Sequence, residues 1–146
     1  MTADDLGVVC RLATTADPLE TLIHAVIIRA QSVRGGRALL EQSWGSGERP
    51  SDFEERASHE VAAGHLWVAL LDGEIVAGAL VQDDCVRAIW VRPDVRRQGI
   101  ASRLLGTLRE SESPPRDAWA LPGDRATKSL YESVGWKARL LTMRGE

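Results

Sequence analysis

Between His65 and Val91, three apolar runs rich in β-branched residues are separated by two short polar pairs, Asp72-Gly73 and Asp83-Asp84. Asp-Gly between apolar runs asks for a two-residue turn with both residues at positive φ, the geometry whose twist matches an antiparallel strand pair. The sequence therefore predicts two strands flanking Leu71-Asp72-Gly73-Glu74, together spanning His65 to Val81. A third antiparallel strand follows from Cys85 to Val91 and ends at Pro93.

Around this meander the pattern alternates. Residues 7–13 read as a first strand, and Asp17-Pro18 as a helix cap followed by proline in the first helical turn. Leu19, Leu22, Ile23, Val26, Ile27 and Ala30 recur at three- and four-residue spacing, which predicts an amphipathic helix stopped by Gly35-Gly36. Residues 37–43 could open a second short helix, Trp44 to Asp52 reads as a turn, and 52–63 as helical. Ile100, Leu104, Leu105 and Leu108 share one face of a helix over 100–109, closed by Ser113-Pro114-Pro115. Ala118-Trp119-Ala120-Leu121 suggests a buried strand, Pro122-Gly123 a turn, Asp124 a cap, 125–134 a helix stopped by Gly135, and about 136–143 a last strand. With no repeat and no long linker, residues 1–146 are expected to form one α+β domain with a central, mostly antiparallel sheet flanked by helices.

Composition removes several functions. Eighteen Lys and Arg face 21 Asp and Glu, a net charge of -3, so no global positive field would hold a nucleic acid. Cys10 and Cys85 are too few for a disulfide scaffold or a Cys-rich zinc site. The N-terminus lacks a basic segment before an apolar one, and no apolar run approaches the ~18 residues that span a bilayer. A cytoplasmic protein without membrane partners is expected. His59-Glu60 with His65 misses the zinc-protease spacing, because Ala63 stands where the second histidine is needed, so no metal is expected. The tryptophans at 67, 90, 119 and 136 fall in or beside predicted strands and read as core, whereas Trp44 sits in a Gly-rich loop.

The densest chemical signal is Val91-Arg92-Pro93-Asp94-Val95-Arg96-Arg97-Gln98-Gly99-Ile100-Ala101-Ser102, between a strand and a helix. Small Gly99 and Ala101 let backbone amides approach a ligand, and the free N–H groups of a first helical turn favour an anion. The loop has neither the dinucleotide fingerprint nor a Gly-Lys-Ser/Thr phosphate loop. The competing reading of Arg96 and Arg97 is a solvated basic loop.

Arg96, Gly99 and Ala101 match the pattern Arg/Gln-x-x-Gly-x-Gly/Ala, which resembles the acyl-CoA signature of the GCN5-related N-acetyltransferases (GNAT). Downstream, Leu130-Tyr131-Glu132-Ser133-Val134-Gly135-Trp136 is similar to that family's Leu-Tyr-Glu-x-x-Gly-Phe segment. The resemblance implies a splayed sheet whose strand ending at Val91 receives the pantetheine arm of acetyl-CoA. Trp90 and Val91 would flank the acetyl group, Arg96 would belong to the cradle, and the amides of Arg97, Gln98, Gly99, Ile100, Ala101 and Ser102 would hold the pyrophosphate. A backbone N–H near Val91 would serve the oxyanion, and Tyr131 would be the acid for the leaving thiolate. The implied activity is that of an acyltransferase moving an acetyl group to a primary amine of a small molecule or peptide, without a metal. The alternative is a non-catalytic acyl-CoA-binding regulatory or interaction module.

The chain departs from the family in three places. Cys85 stands where many members carry a base glutamate, which leaves Asp84, a water chain, Glu60 and His65 as open alternatives. Cys85 itself reads as a small core residue. Asp124 replaces a frequent asparagine, caps its helix equally well, and places a negative charge near the CoA phosphates. Only residues 136–146 follow Gly135, where the family usually closes with a longer two-strand segment, so the final strand could be missing or supplied by the partner of a homodimer. The acceptor would be chosen within 30–65, where Arg34, Arg37, Glu41, Asp52, Glu54 and Glu55 mix both signs.

Overall fold

The computed structural model describes residues 7–18, 50–120, 124–138 and 143. The predicted helices over 19–34 and 37–43, with Arg34, Arg37, Glu41 and Trp44, lie outside the described residues. Within them the order is β1 (Val9–Leu12), α1 (Pro50–Ala62), β2 (Leu66–Leu71), β3 (Glu74–Gln82), β4 (Cys85–Val91), a 3-10 turn (Pro93–Val95), α2 (Ile100–Arg109), β5 (Asp117–Ala118) and α3 (Arg125–Ser133). The strands form one five-stranded sheet in the order β1-β2-β3-β4-β5. Its first three pairings are antiparallel, and β4 with β5 is parallel.

The meander forms as its turns dictate. Asp72 and Gly73 lie at φ 52 and 80, and Asp83 and Asp84 at φ 51 and 61, so both connections have two central residues in the left-handed region. Each hairpin also carries one extra residue. Ala69 faces Ala77 but Leu70 faces Ile75, and Leu80 faces Ala88 but Val81 faces Val86, which leaves Val76 and Arg87 as the bulged residues. A bulge shifts the inside-outside alternation by one residue. Hence Ile75 and Trp90 join one core cluster with Ala57, Val61, Leu66, Val68 and Leu80, on the side of α1. Val76, Ala77, Ala79 and Val86 join the other, with Ile100, Leu104, Leu105, Leu108 and Tyr131 from α2 and α3.

Two expectations need correction. The strand foreseen at Ala118–Leu121 pairs only at Asp117 and Ala118, where Trp119 N–H still reaches the Val86 carbonyl at 2.9 Å and Ala120 is already exposed. The strand foreseen over 136–143 has no ladder at 136–138, and 139–142 lie outside the described residues. Trp136 is instead committed to closing α3. Its N–H bonds the Tyr131 carbonyl at 3.0 Å, and Gly135, at φ 92, bonds that of Glu132 at 3.0 Å. This is a Schellman closure, which sets the residue after the glycine over the helix's penultimate turn. Asp17 takes both guanidinium nitrogens of Arg11 at 2.8 Å and the Thr14 N–H at 2.7 Å, and the helix it is expected to cap lies outside the described residues. The guanidinium holds the Asp17 carboxyl at about 2.

Among the described residues no helix is long and apolar enough to cross a membrane. Leu105 is 0% exposed between α2 and the sheet, whereas Val9 on edge strand β1 is 56% exposed. Leu105→Ala is expected to lower unfolding free energy by about 2–5 kcal/mol, and Val9→Ala by no more than about 0.5 kcal/mol, in urea titrations.

Candidate active site

Among the described residues the pairing of β4 with β5 ends after two residues, and the rest of β4 has no strand on that edge. Arg92 N–H reaches the Val76 carbonyl at 2.7 Å on the β3 side. Because backbone groups alternate along an antiparallel strand, the N–H and C=O of Val91 and Ile89 point the other way, toward that open edge. The Val91 carbonyl takes a 3.3 Å hydrogen bond from Arg96 Nε.

Beyond Val91, Pro93 starts the 3-10 turn, and Val95 plugs the turn into the core. Arg92 braces the same turn, donating to Asp94 at 2.6 Å and to Glu74 at 3.2 Å, and holds the Asp94 carboxyl below its ordinary value. The chain then passes through Arg97 at φ 65 and Gly99 at φ 78 before α2 begins. An arginine in the left-handed region is uncommon and is held there by its surroundings. Gly99 offers no capping side chain, and the first helical bond runs from Arg103 N–H to the Gly99 carbonyl at 3.0 Å. The N–H groups of Ile100, Ala101 and Ser102 therefore have no acceptor within the helix.

These elements enclose a groove of about 390 Å³, lined by Ile89, Trp90 and Val91 of β4, Val95 to Arg97, Gly99 to Ser102, and Ala126, Thr127 and Leu130 of α3. Of the residues singled out from sequence, Trp90, Val91, Arg96, Arg97, Gly99, Ile100, Ala101 and Ser102 come together here. Gln98 and Tyr131 do not line the groove. Trp90 and Val91 both border it, although their side chains pack on opposite faces of the sheet. The α3 residues were missed, and their signal is the helical spacing of 126, 127 and 130 behind the Asp124 cap. Asp124 is engaged by Thr127, through its N–H at 3.3 Å and its hydroxyl at 2.7 Å.

Tyr131 follows Leu130 into the core and is 5% exposed. Its ring stacks on Trp136, centroids 5.5 Å apart and planes 14° from parallel. Its hydroxyl is buried without a hydrogen-bond partner, which costs about 1–3 kcal/mol in a folded protein. Burial first, then the neighbouring Cys85 and Asp124, push its pKa up beyond the ordinary tyrosine range. The Cys85 thiol is also buried, and desolvation raises its pKa, so it stays protonated.

Two of the open base alternatives form a pair of their own. Glu60 accepts from Gln82 Nε2 at 2.8 Å and lies 2.6 Å from His65 Nδ1. The cause is a second Schellman closure, at Gly64 with φ 74, where His65 N–H bonds the Glu60 carbonyl at 2.9 Å and Gly64 N–H that of Val61 at 3.1 Å. The pair sits where α1 meets β2, away from the groove's lining. Asp84 is exposed in the β3–β4 turn, and its carbonyl receives the N–H groups of Arg116 and Asp117. Among the described residues no group of three or more His, Cys, Asp or Glu is placed to hold a metal ion.

A family model described as an acetyltransferase (GNAT) domain matches residues 62–138, more than half of the chain. No curated protein sequence matches it. Among solved structures, a transcriptional regulator from Bacillus halodurans C-125 superposes with TM-score 0.66 at 19% identity, over 95% of this chain and 99% of that one. A ribosomal-protein-alanine N-acetyltransferase from Brucella melitensis gives 0.65 at 20%, over 87% and 83%. An aminoglycoside N-acetyltransferase in complex with CoA gives 0.60 at 16%, over 94% of each chain. At these identities the shared feature is the fold.

The chain contains a single tyrosine, so its ionisation is read without interference. A group whose folded pKa lies above its unfolded value contributes stability that is present below the unfolded value and is lost as pH rises past it. The native protein should show no phenolate absorbance as pH passes through 10.0, the ordinary tyrosine value, and should lose stability above it. Tyr131→Phe should remove that part of the alkaline decline in unfolding titrations.

Proposed function

The chain belongs to the GNAT acetyltransferase family, and on that premise we propose that it transfers an acetyl group from acetyl-CoA to a primary amine by direct attack on the thioester. The observation that carries this reading is the groove itself, in which the open edge of β4 runs into the unpaired first-turn amides of α2. The residues present suit the ligand. An arm containing amides can pair with the outward N–H and C=O groups of Ile89 and Val91, as an added strand would. The amides of Ile100, Ala101 and Ser102 at a helix N-terminus, beside the cationic Arg96 and Arg97, suit a pyrophosphate. The Arg97 amide belongs to this cradle, and Gln98, which does not line the groove, links it to Gly99.

Bound acetyl-CoA supplies an activated carbonyl. As the new C–N bond forms and the C–S bond breaks, the amine loses a proton and the sulfur gains one. A β4 amide on the open edge, at Val91 or Ile89, is the donor for the developing oxyanion. Tyr131 carries a buried hydroxyl with no other partner, and a sulfur brought within reach would accept its hydrogen bond. Burial keeps the hydroxyl protonated, so it is present as a hydrogen-bond donor when the thiolate forms. No side-chain base is assigned, because Cys85 remains a thiol and Glu60 is already shared by His65 and Gln82. The acceptor is a small-molecule or peptide amine. The two free cysteines suit a reducing cytoplasm, where this chemistry would find its thioester.

The buried Cys85 on β4, where a base would be expected, favours one second reading: a module that binds acyl-CoA without turnover. Thermal unfolding with acetyl-CoA at about 100 times its dissociation constant should stabilise the fold by roughly 2.7 kcal/mol. Gly99→Val, which needs a backbone conformation that valine rarely adopts, should abolish the shift. Tyr131→Phe should keep the shift and lower turnover by about 10²- to 10⁴-fold in an assay of released thiol. Stabilisation without thiol release from any amine would select the binding module, and no stabilisation would sink both readings.

A further inference from the structure

On the transferase reading, an acceptor meets the thioester at the inner end of the groove, opposite the phosphate cradle, and among the described residues the cation next along β4 beyond that end is Arg87. Among the described residues the last link between β5 and β4 is the 2.9 Å bond from Trp119 N–H to the Val86 carbonyl. Arg87 is the next residue of β4 and the first along its open edge. Ile89, which lines the groove, is two residues further on, about 7 Å along a strand.

Arg87 is also the bulged residue of β4. Its guanidinium lies flat on the Trp119 ring, 3.8 Å from the centroid, and its side chain is 17% exposed. Such stacking fixes the plane of the fork but supplies no hydrogen-bond acceptor. The carboxylate that meets it is Asp83 at 3.4 Å, whose own side chain is 89% exposed, and its Nε is buried without a partner. Asp117, beside Cys85 in the β4–β5 register, is exposed as well. A guanidinium withdrawn from water, held rigid and weakly compensated is a costly arrangement for a purely structural residue. A carboxylate that enters with the ligand would complete it through the free part of the fork.

Resting on the transferase reading above, we infer that Arg87, steadied by Trp119, is the specificity determinant for the acceptor and selects amines that also carry a carboxylate. The same charge disfavours polycationic amines, because a second ammonium would be brought against the guanidinium without its hydration. Cys85, two residues before Arg87 on β4, is close enough to feel the charge of Arg87 and to act on the Tyr131 hydroxyl.

The test uses the full chain and matched probes. Released thiol is measured for 6-aminohexanoate against hexylamine, for 4-(2-aminoethyl)benzoate against phenethylamine, for the proteinogenic amino acids against their decarboxylated amines, and for spermidine. At least one carboxylated amine should exceed its partner in kcat/KM by ~10-fold or more, and Arg87→Met should erase that ratio while changing turnover of the uncharged partner by less than ~3-fold. Arg87→Lys, which keeps the charge but not the fork, should retain part of the preference. Both variants must keep the acetyl-CoA thermal shift, which separates loss of selection from loss of fold. Preference for decarboxylated amines or spermidine, no turnover of any carboxylated probe, or an unchanged ratio in Arg87→Met would overturn the assignment while leaving the transferase reading standing. Absence of the acetyl-CoA shift in the wild-type chain would overturn both.

Discussion

Everything at the candidate site follows from how briefly β4 and β5 stay together. Two residues of parallel ladder, Cys85 with Asp117 and Val86 with Ala118, join them before they part. A strand in mid-sheet normally satisfies its backbone on both edges, and one that loses a neighbour must find other partners for its outward N–H and C=O groups. Beyond Val86, β4 keeps β3 on one side and presents Ile89 and Val91 to the groove on the other. The cradle at the N-terminus of α2 continues the same line of unpaired amides. One discontinuity in the sheet thereby produces a long trough along the backbone of β4.

The two bulges decide which residues surround that trough. Without the extra residue at Arg87, strict alternation would put Val86 on the same face as Trp90. The shift sends Val86 toward α2 and α3, and Trp90 toward α1. The two faces of the sheet then receive enough apolar surface to be covered on both sides, which a sheet flanked by helices requires. The extra residue also places an arginine at the point where the strands part, where a regular strand would carry an alternating apolar one.

One backbone device acts twice with different outcomes. Both α1 and α3 end in a Schellman closure on a glycine at positive φ, Gly64 and Gly135, and in both the following residue is brought over the helix's last turns. At α1 this joins His65 to Glu60, a hydrogen-bonded contact that Gln82 completes. At α3 it stacks Trp136 on Tyr131, so that the ring is held while its hydroxyl stays buried and unpaired. The first is a structural polar contact and explains a histidine-glutamate pattern that in sequence invites a metal or base reading. The second explains why residues 136–138 do not extend the sheet.

Local chemistry alone determined the meander, since Asp72-Gly73 and Asp83-Asp84 admit few backbone paths, and the buried face of α2, since Ile100, Leu104, Leu105 and Leu108 fall on one side of any helix. It also determined the cradle, because Gly99 and the free amides of a first helical turn are properties of a short segment. Tertiary structure decided what depends on distant parts of the chain: that β5 would pair for only two residues, that Ala126, Thr127 and Leu130 would close the groove from α3, and that Arg87 would be bulged and stacked on Trp119. It also decided that Tyr131 would lie beside the groove without lining it. A bulge leaves no mark in the alternation until its partner strand is known, and the burial of a hydroxyl is set by the elements packed around it. Spacing along one strand or one helix does not carry that information.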